Sequence, residues 1–365
     1  MRLLGINLEG FRNIDSLTLS FETDRVFFLG SNGQGKSNLL EAIGLCSTLR
    51  SFRGAAPESM VMDGRAQSQL YAKFLNDEGS EQEAVITFAK KGGKKVEVDG
   101  ELVKKLGSFL GQFPSVCLSS RDFRLVRESP SDRRKWMDLA LSSTSNRYFS
   151  ALQGYYRSMK ERNALLKQQA SDSQLQAFEQ TLATCASLLH EERSAFFPSL
   201  SDPFEQAYLG LTEGQESAQL KYLPDCAAMV SDEWLKIYEK ERGKDRLMGA
   251  TRRGPHRDDF SLLLNDRDSR NFASEGQQKG VVLALRLAEF SFLRQNLGTM
   301  PILLADDVLG ELDPKRRANF RKLLPPNAQT FATGTTYPSE REEGIWESFQ
   351  VENGMFFSVP TARDG

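Results

Sequence analysis

Gly30-Ser31-Asn32-Gly33-Gln34-Gly35-Lys36-Ser37 constrains this chain more than any other stretch, because it satisfies every position of G-x-x-x-x-G-K-[ST]. The arrangement has a physical purpose. Glycines let successive backbone N–H groups turn inward around the phosphates of a nucleotide, and the N-terminus of the next helix adds its dipole. Lys36 then neutralises the terminal phosphates, and the Ser37 hydroxyl ligates Mg2+. A glycine-rich turn can match by chance, so context decides. Arg25-Val26-Phe27-Phe28-Leu29 precedes the loop as the short apolar run of a strand buried on both faces. Ser37-Asn38-Leu39-Leu40-Glu41-Ala42-Ile43 follows with helix formers at helical spacing. Strand, loop and helix are the context the motif requires, so residues 30–38 are expected to bind the nucleotide, with Lys36 also acting in catalysis.

A second apolar strand, Ile302-Leu303-Leu304-Ala305, ends in Asp306-Asp307. In this setting Asp306 is expected to hold the Mg2+ through water and Asp307 to orient the attacking water. Leu309-Gly310-Glu311-Leu312-Asp313 follows, with Glu311, Leu312 and Asp313 in the place of a D-loop and Pro314 starting a helix. Upstream stands Ser274-Glu275-Gly276-Gln277-Gln278-Lys279, opening a helical stretch. Alone it is a helix N-cap. In this order with the other elements, Ser274, Gly276 and Gln277 match the signature of ABC-class ATPases, in which a second subunit's γ-phosphate is bound. That implies a composite site, complete only when two copies sandwich two ATP molecules.

Spacing selects the subclass. Ser274 lies 237 residues after Ser37, far more than in a transporter nucleotide-binding subunit. No heptad pattern is sustained over several repeats, as long coiled-coil arms need. The expected fold is therefore α/β: an ABC-type, SMC/Rad50-like P-loop ATPase head with an inserted short helical arm domain. The head is placed at 1–120 and 250–365 and the arm at 121–249. In the first part, Leu3, Ile6, Leu8, Leu17, Leu19 and Phe21 alternate with polar residues as strands do, and Lys91-Gly92-Gly93-Lys94 and Asp99-Gly100 are hairpin signals. In the arm, Leu152 to Leu166 and Gln174 to Phe197 show helical periodicity and predict an antiparallel pair of helices.

Other classes fall away. No run reaches the about 18 apolar residues of a membrane span, and Arg2, Glu9 and Arg12 interrupt any secretion signal. Four dispersed cysteines (46, 117, 185 and 226) read as reduced thiols in a cytoplasmic protein. Two histidines make a Ser-His-Asp triad or a histidine-rich metal site a poor reading. Residues 121–167 hold eleven Lys and Arg against five Asp and Glu, a local +6 in a chain of formal net charge -2. Such a cluster suits phosphate backbones and equally a solvated helical face.

Several further motifs carry a resemblance. Leu8-Glu9-Gly10-Phe11-Arg12-Asn13, Ser51-Phe52-Arg53, Ser129-Pro130-Ser131-Asp132-Arg133-Arg134 with Asp138, Arg162-Asn163-Ala164-Leu165-Leu166-Lys167, and above all Gly254-Pro255-His256-Arg257-Asp258-Asp259 resemble the RecF family of bacterial recombination mediators over nearly the whole chain. The Asp-Asp ending and the Thr-rich switch, Thr333 and Thr335, are also similar to that family. The resemblance implies a weak, DNA-dependent ATPase that dimerises with ATP and binds single-stranded and duplex DNA at gap junctions. It also implies a RecR-type partner, and RecA loading with RecO in replication, repair and the SOS response. It raises Arg50, Arg53, Arg133, Arg134, Lys135, Arg157, Lys160 and Arg162 as DNA-binding candidates, with Arg252 and Arg253 of the same grade. His256 and Arg257 are read as hairpin residues satisfied by Asp258 and Asp259. Departures are Leu118-Ser119-Ser120-Arg121-Asp122-Phe123 in place of F-x-P-E-D-L, Glu275 for Gln and Ala305 for Leu. Rival readings are another SMC-like ATPase, such as a defence component, and an ABC transporter subunit; a small P-loop kinase has no use for the signature.

Overall fold

A computed structural model describes residues 1–212, 214, 216–336 and 346–359, with Glu311 by its backbone only. The chain opens with β1 (Arg2–Phe11), β2 (Ile14–Ser20), β3 (Arg25–Leu29) and α1 (Lys36–Thr48), then β4 (Gln67–Leu75), β5 (Glu81–Ala89), β6 (Lys94–Val98), β7 (Glu101–Leu102) and β8 (Ser115–Ser119). A helical stretch follows: α2 (Arg124–Arg127), α3 (Pro130–Thr144), α4 (Asn146–Lys167) and α5 (Asp172–Thr212). Next come β9 (Ala218–Leu223), α6 (Ser231–Met248), β10 (Asp259–Leu264), β11 (Arg267–Asp268), α7 (Ser269–Phe272) and α8 (Glu275–Leu297). The chain closes with β12 (Ile302–Asp306), α9 (Pro314–Leu323), β13 (Thr330–Gly334), β14 (Glu347–Glu352) and β15 (Met355–Val359).

Two compact units result. The first comprises Met1–Asp122, Gly210–Gly214 and Leu283–Gly365. Its first sheet, ordered β2-β1-β4-β5-β6-β7, is antiparallel throughout. The alternation in the sequence is what makes it: Leu3, Ile6, Leu8, Leu70, Ala72, Ile86 and Phe88 are buried while their neighbours along the strands are not. The second sheet, β15-β14-β3-β13-β12-β8, is parallel except at the β15 edge. Its central strands β3, β13 and β12 are buried on both faces along most of their length, as parallel strands covered on both sides must be. α1 is buried almost all round through Leu39, Leu40, Ala42, Ile43, Leu45 and Cys46, which join the residues of both sheets in one core.

The second unit comprises Phe123–Leu209 and Gln215–Val282. α4 and α5 run antiparallel, with Arg162 meeting Glu179 at one end and Arg147 meeting Glu191 at the other. Trp136, Phe196, Phe197, Tyr222 and Phe260 form the aromatic part of its core. The structure departs from expectation twice here. α5 does not stop near Phe197 but continues through Pro198 and Pro203 to Thr212. A proline inside a helix costs on the order of 3 kcal/mol; buried Phe196, Phe197, Leu200 and Phe204 offset that by packing. Residues 250–282 group with the helical unit, because β10 pairs along its whole length with β9. No helix among the described residues is long and apolar enough to cross a membrane.

Candidate nucleotide site

Sheet order places the chemistry. Parallel strands end on one edge, and the register aligns Leu29 with Gly334, Ala305 with Ala332 and Asp306 with Ser119. β13 lies between β3 and β12, so Thr333 necessarily stands between the phosphate loop and the two acids. This is the carboxyl-end crevice where open α/β sheets bind ligands.

The loop is tightly specified. Gly33 and Gly35 have φ of 82° and 118°, which L side chains rarely adopt. Gly30 is close-packed instead: a Cβ there would sit 2.4 Å from the Val351 carbonyl oxygen. Lys36 is 3% exposed and donates to the carbonyl oxygens of Gly30 (2.7 Å) and Ser31 (3.0 Å), which holds its ammonium inside the curl of the loop. α1 begins at Lys36 with no side-chain cap, so its first N–H groups are available to an anion. Gln34 is clamped by residues that motif reading missed. Its carbonyl accepts from Gly354 N (2.8 Å) and from Asn13 Nδ2 (3.3 Å), and its side-chain oxygen from Asn353 N (2.7 Å). Asn38 Nδ2 in turn donates to Asn13 Oδ1 at 2.7 Å. The Asn of L-x-x-F-R-N was the one signal for this brace.

Ser37 Oγ donates to Asp306 Oδ1 at 2.6 Å, across 269 residues of chain. Thr333 Oγ1 contacts Asp306 Oδ1 (3.1 Å) and Asp307 Oδ1 (3.4 Å) and accepts from Asp307 N (2.9 Å). Asp307 adopts φ 57°, a left-handed conformation that only a few residue types, Asp among them, accept readily. Burial pushes the Asp306 carboxyl above its ordinary pKa, the bond from Ser37 opposes the rise, and the Asp307 charge adds to it. A cation beside these groups would relieve that cost. The donors gathered here, the Ser37 and Thr333 hydroxyls and the Asp306 and Asp307 carboxylates, are all oxygen. That fits Mg2+, which keeps waters and phosphate oxygens and needs few protein ligands. Thr335 is exposed, one residue past β13, and is not brought to the acids.

Beside the loop, fully buried Glu41 accepts from Arg12 Nε and Nη2 (2.9 Å each) and from the Ser51 hydroxyl. Arg53 donates to Asn38 Oδ1 at 2.7 Å, so this DNA candidate is tied to the helix of the phosphate loop. Arg50 is exposed. The divergent 118–123 loop keeps one working residue: Asp122 accepts from Ser119 N (2.9 Å) and pairs with Arg286 at 2.5 Å. In the D-loop, Leu312 is buried and Asp313 caps α9 by accepting from Arg316 N at 2.9 Å; the Glu311 side chain lies outside the described residues.

The signature belongs to the second unit. Ser274 N donates to Gln277 Oε1 (2.7 Å) and Ser274 Oγ accepts from Gln277 N (3.3 Å), a reciprocal cap. Gly276 is half-buried behind it, and Gln277 also donates to Glu216.

Two DNA candidates are corrected by burial. Arg162 is 0% exposed and bonded to Glu179 (3.0 Å), Asp245 (2.7 Å) and the Thr251 hydroxyl (2.9 Å). Arg133 is 1% exposed and forks onto Asp259 at 2.6 and 2.8 Å. Buried charges persist only when paired this way, and neither guanidinium is presented to a phosphate. Arg134 is half-buried and donates to the Asp258 carbonyl oxygen (2.9 Å); Lys135 is exposed and pairs with Asp132 (3.0 Å). Arg157 and Lys160 are exposed on α4.

The Gly254–Asp259 reading also changes. His256 is satisfied by Tyr155 Oη (2.7 Å) and the Thr251 carbonyl oxygen (3.1 Å), while Asp258 serves Arg193 and Tyr222 and Asp259 serves Arg133. Burial lowers the His256 pKa to about 4, with the nearby Arg257 and Arg134 charges adding to the effect. Gly254, at φ 139°, leaves no room for a side chain, since a Cβ would lie 2.2 Å from Tyr155 Oη.

Comparison with known proteins shows the family and the fold. Residues 2–337 match the RecF/RecN/SMC N terminal domain family. The chain is 34% identical over 371 residues to a DNA replication and repair protein RecF of Rippkaea orientalis, covering 96% of this chain and 97% of that one. A structure of the recombination mediator protein RecF with ATPrS in the RecFOR pathway superposes with a TM-score of 0.90 at 29% identity, over 98% of each chain. A crystal structure of an Smc head bound to the C-winged helix domain of ScpA shares the fold at 14% identity, TM-score 0.57, over 98% of this chain and 97% of that one. The fold is that of an ABC-type, SMC-like ATPase head, and the chain belongs to the RecF family.

Proposed function

We propose that this chain is a cytoplasmic, ATP-driven DNA-repair switch: it binds Mg2+·ATP at residues 30–38, two copies close on one another with ATP, and slow hydrolysis reopens them. The observation that carries the nucleotide part is the Ser37–Asp306–Thr333–Asp307 hydrogen-bonded set, which joins the phosphate loop to two carboxylates. Ser37 and Asp306 would hold Mg2+, which supplies charge neutralisation at the phosphates. Lys36 offsets charge on the terminal phosphates, and Asp307 orients the attacking water. Asp307 is one methylene shorter than the Glu common at this position, which favours slow turnover, stimulated by DNA. Ser274, Gly276 and Gln277 complete the partner's site through their helix N-terminus.

The likeness to RecF proteins supports action on single-stranded and duplex DNA at gap junctions. It also supports work with RecR- and RecO-type partners to load RecA in replication, repair and the SOS response. The test is sedimentation with and without ATP and gapped DNA, for wild type, Lys36→Arg and Ser274→Arg. ATP should assemble wild type into dimers and leave Ser274→Arg monomeric. Dimers of Ser274→Arg in ATP would refute the composite site.

A further inference from the structure

Residues 249–256 form a strap along α4. The Gly249 backbone packs on Lys167, where a Cβ would lie 3.0 Å from its Cγ. Thr251 N and Oγ1 both donate to Asn163 Oδ1 at 2.7 Å, and His256 reaches Tyr155. The strap therefore runs antiparallel to the helix, three turns or about 16 Å from Lys167 to Tyr156. Tyr156, Lys160 and Lys167 fall on one stripe of α4 at helical spacing, bordering it. Lys160, Lys167, Arg252 and Arg257 are all exposed, and none of them is in an ion pair among the described residues. The one exposed large aromatic on α4, Tyr156, is 40% exposed and steadied edge-on by Tyr155 at 5.7 Å. The acids near the strap are committed: Asp258 and Asp245 are buried on Arg193 and Arg162, and Asp225 holds Arg253.

We propose that this face of the helical unit binds single-stranded DNA, with Tyr156 as a stacking platform for one base and Lys160, Lys167, Arg252 and Arg257 contacting phosphates. Unpaired cations in a row beside an exposed ring suit a flexible polyanion that offers free base faces, which duplex DNA does not. The inference rests on the DNA-binding reading above and names the surface that serves it. His256 sets its geometry: locked between Tyr155 and Thr251, it fixes the strap that carries Arg252 and Arg257.

The experiment is fluorescence anisotropy of the full chain with ATP, on labelled oligo-dT and a blunt duplex, from 50 to 200 mM salt, over which the Debye length falls about twofold. Tyr156→Ala should lose about fivefold or more in affinity for oligo-dT and little for duplex, with Tyr156→Phe retaining binding. Arg252→Ala/Arg257→Ala should weaken binding to both and flatten the log–log salt slope on oligo-dT by about 1.4. Arg147→Ala, exposed on α4 and paired with Glu191, should change nothing. If wild type binds and the stripe variants bind equally well, this surface is wrong while the DNA-binding reading stands. If wild type binds no DNA with ATP, the underlying reading fails. Polyglutamate competing as strongly as oligo-dT would overturn the stacking role in favour of an acidic protein partner.

Discussion

Thr333→Val changes one hydroxyl to a methyl at a position 1% exposed, keeping shape and strand preference. In the structure that hydroxyl accepts from Asp307 N and contacts an oxygen of each carboxylate. Asp306 retains Ser37 as a donor, so the group left without a partner is the Asp307 N–H. A fully buried unsatisfied donor costs about 1–3 kcal/mol; this one is part-buried, so urea unfolding should show a loss within that range at most. The larger consequence is kinetic. Asp307 sits at φ 57°, and the bond from its N–H to Thr333 helps hold it there. If the same 1–3 kcal/mol is lost from the transition state, single-turnover hydrolysis slows about 5- to 150-fold. ATP affinity, read with a fluorescent analogue, should scarcely move, because Lys36, Ser37 and the loop N–H groups are untouched. Thr333→Ser restores the hydroxyl and should restore most of the rate. Hydrolysis at the wild-type rate by Thr333→Val, or equal damage from Thr333→Ser, would refute the argument that this residue positions Asp307.

Asp307→Asn keeps a residue type that tolerates the left-handed conformation, so the protein should melt within about 0.5 kcal/mol of wild type while ATP hydrolysis is lost, as phosphate-release assays would report. Arg162→Met leaves the buried Asp245 and Glu179 carboxylates short of a partner and should cost about 3–5 kcal/mol in urea unfolding, a structural effect that no DNA titration is needed to see. His256 is neutral when folded, with a pKa of about 4 against about 6.5 unfolded. The unfolded chain therefore binds the extra proton between those values, so the His256 contribution falls as pH drops from about 6.5 to about 4, by on the order of 3 kcal/mol at most. Urea midpoints at pH 5 and 7.5 should differ less for His256→Gln than for wild type, and an equal difference would contradict this.

The nucleotide site was legible because its requirements are local. A phosphate loop needs its glycines, lysine and serine in one unbroken run, and β12 announces itself by four apolar residues ending in two acids. The braces were not legible. Asn13, Asn353 and Arg12 meet the loop or its helix from positions whose distance in sequence carries no periodic signal. The same limit misled the count of basic residues. Arg133 and Arg162 look like neighbours of Lys135 and Lys160 in sequence, but their partners arrive from 126 and 83 residues away. Charge density cannot separate a buried guanidinium from an exposed one. Strand pairing likewise drew 250–282 into the helical unit, since β10 has its partner in β9 rather than in the head sheets.

Complementation in trans tests the composite site most directly. Lys36→Ala spoils a protomer's own phosphate loop, and Ser274→Arg spoils what it offers its partner. Each variant alone should hydrolyse no ATP. An equimolar mixture should recover up to about half of wild-type activity, because neither variant pairs with itself under ATP, so every dimer is mixed and has one intact site of two. Recovery near that level is the predicted result; two folded variants that remain inactive when mixed would contradict a site shared between copies.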